Sequence, residues 1–182
     1  MTSGKAPKGA RLKLATVWLD GCSGCHMSLL DMDERLLEIT QRAELVYGPL
    51  VDTKDFPEGV DITLVEGAVG TTEDLRRIRE VRERTRVLVA LGDCAITSNV
   101  PGMRSAFGKD AVLLPVYLEK AALNQQVPSQ GVPELLEECL PVHAWVPVDV
   151  YLTGCPPSAE RIYAAIKALL DGKPVEEISR FG

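Results

Sequence analysis

Short apolar runs that read as strands alternate along this chain with stretches of helical periodicity. A chain ordered in that way buries itself as a parallel sheet covered by helices. Residues 12–19 predict the first strand, 45–50 the second and 61–66 the third, with two more at 86–91 and 148–152. The run at 86–91 is almost continuously apolar, as expected of a strand covered on both faces. Leu29, Met32, Leu36 and Ile39 share one helical face after Ser28. Thr71-Thr72-Glu73-Asp74 is a helix start, followed by the stripe Leu75, Ile78 and Val81. Ser158 leads into Ile162, Ala165, Ile166, Leu169 and Leu170, and Gly172 and Pro174 end that helix. Between residues 113 and 147 five prolines break the pattern; one short helix is expected at 134–140, and the irregular stretch suggests a surface that faces a partner. The expectation is one α/β domain over residues 12–182, an open parallel sheet with helices on both faces, behind a flexible tail at residues 1–11.

Five cysteines punctuate this pattern, and four of them follow strands. Cys22 and Cys25 come after the first strand in Asp20-Gly21-Cys22-Ser23-Gly24-Cys25, Cys94 after the fourth in Gly92-Asp93-Cys94, and Cys155 after the fifth in Gly154-Cys155-Pro156-Pro157. Ligands of open α/β sheets bind beyond the carboxyl ends of the strands, so residues remote in sequence can converge there. Nearby glycines permit close approach, and helix N-terminal amides suit an anionic thiolate-bound cluster. Glu66 occupies the matching place after the third strand, where a carboxylate could relay protons or accept amide hydrogen bonds that shape the pocket. Cys139 is off any strand end and reads as a free thiol.

A lone C-x-x-C also occurs in zinc sites, thiol–disulfide oxidoreductases and haem-attachment sequences, the last formally matched by Cys22 to His26. The haem and thiol–disulfide readings leave Cys94 and Cys155 unexplained; zinc takes four thiolates readily, but one pair plus two distant cysteines suits a four-iron cubane better than paired zinc knuckles. His26 is expected behind the ligands or at the surface. The chain is long enough to fold without a metal, so a metal here would serve chemistry. A net charge of -6 argues against nucleic acid, and the arginines at 76–86 alternate with acids in the pairs Glu73–Arg77 and Glu80–Arg84 of a solvated helix face. No span or export signal is visible, which places the protein in the cytoplasm, where thiols stay reduced.

Taken together, the motifs Trp18 to Leu30, Glu66-Gly67-Ala68-Val69, Gly92-Asp93-Cys94-Ala95 with Asn99-Val100-Pro101, and Gly154 to Glu160 resemble the small subunit of [NiFe] hydrogenases, in matching order over residues 12–170. Among these, the cytoplasmic bidirectional NAD-reducing group is most similar. The resemblance implies a flavodoxin-like domain and one proximal [4Fe–4S] cluster held by Cys22, Cys25, Cys94 and Cys155, since the cysteines for two further clusters in larger relatives are missing. Glu66 would sit behind those ligands or relay protons. The resemblance also implies a large subunit with the nickel–iron site and diaphorase subunits with FMN, iron–sulfur clusters and NAD. The chain would relay electrons between them as one subunit of a hydrogen:NAD+ oxidoreductase. The cluster subunit of respiratory complex I is similar over the same core, but its first two cysteines are adjacent, whereas Ser23-Gly24 separates them here. A thiol–disulfide oxidoreductase using Cys22 and Cys25 remains the alternative of a different class.

Overall fold

The computed structural model of the chain describes residues 11–175. Five strands form one sheet: β1 (Leu12–Trp18), β2 (Ala43–Tyr47), β3 (Val60–Glu66), β5 (Thr85–Leu91) and β7 (Val150–Leu152). The order is β2-β1-β3-β5-β7 and every pairing is parallel. This is the doubly wound order of flavodoxin-like folds, in which the chain leaves β1 in opposite directions to β2 and β3. All five expected strands are present. The tail expected at residues 1–11 lies, apart from Arg11, outside the described residues.

Helices cover both faces. Leu29 of α1 (Gly24–Leu30), Ile39 of α2 (Arg35–Arg42) and Ile162, Ala165 and Ile166 of α7 (Ala159–Leu170) pack on Leu14, Ile62, Leu64, Val89 and Leu91. On the other face Ile78 and Val81 of α3 (Thr72–Arg84) and Ala95 of α4 (Asp93–Thr97) meet Ala15, Val17, Val65, Leu88 and Ala90. Alternate residues of β1 therefore serve opposite cores, as a two-layered burial requires. The apolar face expected after Ser28 is buried, but on two helices; the chain turns between them, with Asp33 at φ 50°. A reciprocal capping box between Thr71 and Asp74 starts α3, and its outer face carries the expected Glu73–Arg77 and Glu80–Arg84 pairs at 3.1 and 2.8 Å. Ser158 caps α7 through the Arg161 amide.

The helix expected at 134–140 is instead a strand, β6 (Leu135–Leu140), antiparallel to the three-residue β4 (Val69–Thr71). Leucine and glutamate favour a helix only weakly, and fixed partners outweigh that preference. Arg104 donates to the carbonyls of Leu136 and Gly70 at 2.9 and 2.8 Å, and the Cys139 amide donates to Ser105 Oγ at 2.8 Å. Short helices α5 (Asn99–Gly102) and α6 (Lys109–Leu114) lie between β5 and β6. Among the described residues no helix is long and apolar enough to cross a membrane.

Candidate functional site

Each of β1, β3, β5 and β7 runs out at the same edge, and the segments that follow them are stitched together. Beyond β1 the chain bridges to the loop after β3: the Asp20 amide donates to Ala68 O at 3.0 Å and the Ala68 amide returns to Asp20 O at 2.8 Å. Ser23, at φ 63°, then turns the backbone into α1, so that Cys25 and His26 occupy its first turn. Amides at that turn have no partner within the helix. Glu66, at the end of β3 and 1% exposed, supplies one: the Cys25 amide donates to Oε1 at 3.3 Å and the His26 amide to Oε2 at 2.9 Å. His26 is 5% exposed, and its Nδ1 is also hydrogen-bonded to Oε2 of Glu66. Its far nitrogen, Nε2, is buried with no partner among the described residues. The sequence placed His26 behind the ligands or at the surface; it is buried and bound to Glu66.

Two further cross-links hold the loops after β5 and β7. The Gly92 amide donates to Leu152 O at 2.8 Å and the Asp93 amide to Gly154 O at 2.9 Å. In return, the Gly154 amide donates to Asp93 Oδ1 at 2.7 Å. Asp93 is thus the tie between the Cys94 and Cys155 loops, a role that only the pairing of β5 with β7 reveals. Asn99 Nδ2 lies 3.3 Å from Cys155 Sγ, and Ser28 Oγ donates to Pro157 O at 2.5 Å, joining α1 to the last loop. Gly92 has φ 80°, and a Cβ there would collide with the Cys25 sulfur.

All four expected cysteines thereby reach one neighbourhood. Cys22 and Cys155 are exposed, Cys94 is half-buried and Cys25 is buried. Burial pushes the Cys25 thiol up, and the Glu66 carboxylate and the Cys94, Cys22 and Cys155 thiols push it further. Cys94 is raised chiefly by burial, then by Cys22, Cys155 and Glu66. Low-dielectric surroundings and like charges both disfavour a thiolate. Cys139 stands apart: its sulfur lies 3.7 Å from Asp20 Oδ2, and burial with that carboxylate lifts its thiol to about 12.

The metal expectation is corrected. Among the described residues, no group of three or more His, Cys, Asp or Glu side chains is arranged to hold a metal ion. The assignment of one [4Fe–4S] cluster to Cys22, Cys25, Cys94 and Cys155, and of iron–sulfur binding to the chain, therefore does not carry over from the sequence. The four sulfurs stand on three segments, two of them exposed and one tucked beneath Gly92. What the arrangement does supply is a set of thiols of graded exposure around a buried, amide-bound carboxylate.

Comparison with known proteins gives this edge its family. Residues 22–169 match the family described as NADH ubiquinone oxidoreductase, 20 Kd subunit. Over 164 residues the chain is 39% identical to a subunit of the F420-non-reducing hydrogenase vhu of Methanocaldococcus jannaschii, covering 89% of this chain and 57% of that protein. It is 34% identical to the delta subunit of the NAD-reducing hydrogenase HoxS of Cupriavidus necator, covering 94% of this chain and 84% of the relative. A chain of the crystal structure of NAD+-reducing [NiFe]-hydrogenase in the H2-reduced state superposes with a TM-score of 0.89 at 38% identity, over 93% of this chain and 97% of that one. The chain spans little more than half the length of the F420-non-reducing relatives, 57% of the first and 56% of the second. It belongs to the NADH ubiquinone oxidoreductase 20 Kd subunit family, as a small subunit of the kind found in NAD-reducing [NiFe] hydrogenases.

Proposed function

We propose that this chain is the small electron-transfer subunit of a cytoplasmic hydrogenase that couples hydrogen to NAD. A large subunit would hold the nickel–iron site, and diaphorase subunits would hold flavin, iron–sulfur clusters and NAD. The observation that carries this reading is the end-to-end likeness to a chain of an NAD+-reducing [NiFe]-hydrogenase, with 97% of that chain covered. The C-terminal edge of the sheet is the functional surface, with Cys22, Cys25, Cys94, Cys155 and Glu66 as its working side chains. Glu66 positions the first turn of α1, and Asp93 keeps the Cys94 and Cys155 loops in register.

Trp18, Met27, Val100 and Met103 are exposed on segments that leave this edge, and they form the apolar ground on which a large subunit would dock. Co-expression with candidate large subunits tests the reading. A tagged chain is expected to retain a larger, nickel-containing partner, and the assembled complex to reduce NAD+ with hydrogen. Val100→Glu with Met103→Glu should weaken that retention at least about tenfold, as charges buried without partners do. Retention of a nickel-free, quinone-linked complex would instead favour the complex I relative that shares the family. Retention of no partner would sink both.

A further inference from the structure

Cys139 is buried in β6, away from the other four cysteines, yet it reaches the loop that carries Cys22. Its thiol donates to Oδ2 of Asp20 at 3.7 Å, and Asp20 stands two residues before Cys22. No other side chain among the described residues hydrogen-bonds or ion-pairs with that half-buried carboxylate. Burial and the carboxylate lift the thiol to about 12, so at neutral pH it keeps the proton it donates.

Missing side chains make the contact possible. Residues 19–21 cross residues 67–70 backbone to backbone, joined by the two hydrogen bonds between Asp20 and Ala68. A Cβ at Gly21 would press on the Cα of Gly67, and one at Gly67, φ 94°, would strike the carbonyl carbon of Leu19. A Cβ at Gly70 would collide with Oδ2 of Asp20 and crowd Cys139 Sγ. Glycine at these positions lets the carboxylate reach across β4 to β6. From Cys139 the connection runs on to the surface. The Cys139 amide donates to Ser105 Oγ at 2.8 Å, and that hydroxyl donates to Cys139 O at 3.4 Å. Ser105 belongs to the helical turn Met103–Ala106, in which Met103 is exposed. Arg104 of the same turn donates to Gly70 O in β4 and to Leu136 O in β6.

We infer that Cys139 is a positioning residue: through Asp20 it fixes the loop that presents Cys22, and through Ser105 it ties that loop to the turn bearing Met103. A large subunit docked on Met103 would then meet Cys22 at a set position, a consequence that rests on the function proposed above. Coupling along such a chain of contacts is shown energetically, by a double-mutant cycle. The Ala68 amide donates to Asp20 O, so its hydrogen exchange in the full chain reports opening of the crossing. Cys139→Ala and Asp20→Ala should each speed that exchange about fivefold, what a single hydrogen bond is worth. The double variant should exchange no faster than either alone. Ile162→Val, in the core on the opposite face of the sheet, controls for general loosening and should leave the Ala68 rate unchanged. An unchanged rate in either single variant, a double variant that multiplies the two effects, or an equal rise in Ile162→Val overturns the inference. Asp20→Ala alone still decides if Cys139→Ala folds poorly. In the assembled complex Cys139→Ala should lower hydrogen-dependent NAD+ reduction about threefold with the large subunit still retained, and turnover equal to the parent overturns the link to docking. If no hydrogenase assembles, the Ala68 rates still decide the positioning, so the two readings fail separately.

Discussion

At the end of β3 a buried carboxylate is met by the groups around it, while inside β1 a buried hydroxyl meets nothing. Glu66 takes the Cys25 and His26 amides and the His26 ring; Thr16, equally buried, has no partner among the described residues. Both residues end up at the same sheet edge because the chain turns both ways from β1, and that edge is where open α/β sheets bind ligands. The difference separates two uses of buried polarity. Groups paired within the protein hold loops in place and make the edge rigid. A group left unpaired and sealed, as the Thr16 hydroxyl is beneath Gly48, holds nothing in place.

If that contrast holds, substitutions at the thiol end should be costly in proportion to the pairing they break. The largest loss is expected for Gly92→Ala, because φ 80° strains any side-chain-bearing residue and the new Cβ would strike Cys25 Sγ. Strain and overpacking together should cost about 3 kcal/mol or more, measured by urea unfolding. Adding Cys25→Ala should recover part of it, since only the collision is relieved. A Gly92→Ala protein as stable as the parent would mean that the Cys25 loop yields freely and that the edge is not rigid.

Glu66→Leu should follow at about 2–3 kcal/mol, because it strips the acceptor from two buried amides at the first turn of α1. Glu66→Gln keeps one acceptor oxygen and should cost less. Hydrogen exchange at Cys25 and His26 separates the two roles considered for Glu66. If Glu66 acts by holding the turn, exchange rises in Glu66→Leu and activity of the assembled complex falls with it. Were Glu66→Gln to lose turnover while exchange stayed low, proton transfer would be the better account.

Much of this was readable from the residues, for reasons that differ from place to place. The strand around Leu88 is legible because burial on both faces leaves a nearly unbroken apolar run from Val87 to Leu91, and α7 because its stripe runs cleanly from Ser158 to Leu170. β6 was not legible: Leu135-Leu136-Glu137-Glu138-Cys139 carries no decisive period, and its state is set by Val69–Thr71 and by Arg104, remote in sequence. The convergence of the four cysteines followed from their places after parallel strands. Their grouping as a metal site did not, because spacing says nothing of which thiols turn inward.

The smallest expected effect is also the one of opposite sign, and it bears most directly on the contrast. Thr16→Val replaces a hydroxyl by a methyl of nearly the same shape. Where a hydroxyl is hydrogen-bonded, that exchange leaves its partner stranded and costs about 1–3 kcal/mol. Thr16 strands no partner, because it has none among the described residues, so the exchange should leave stability unchanged or raise it by up to about 1 kcal/mol. A loss as large as that of Glu66→Leu would mean that Thr16 is bonded in the folded protein after all. The two ends of the edge would then be built alike.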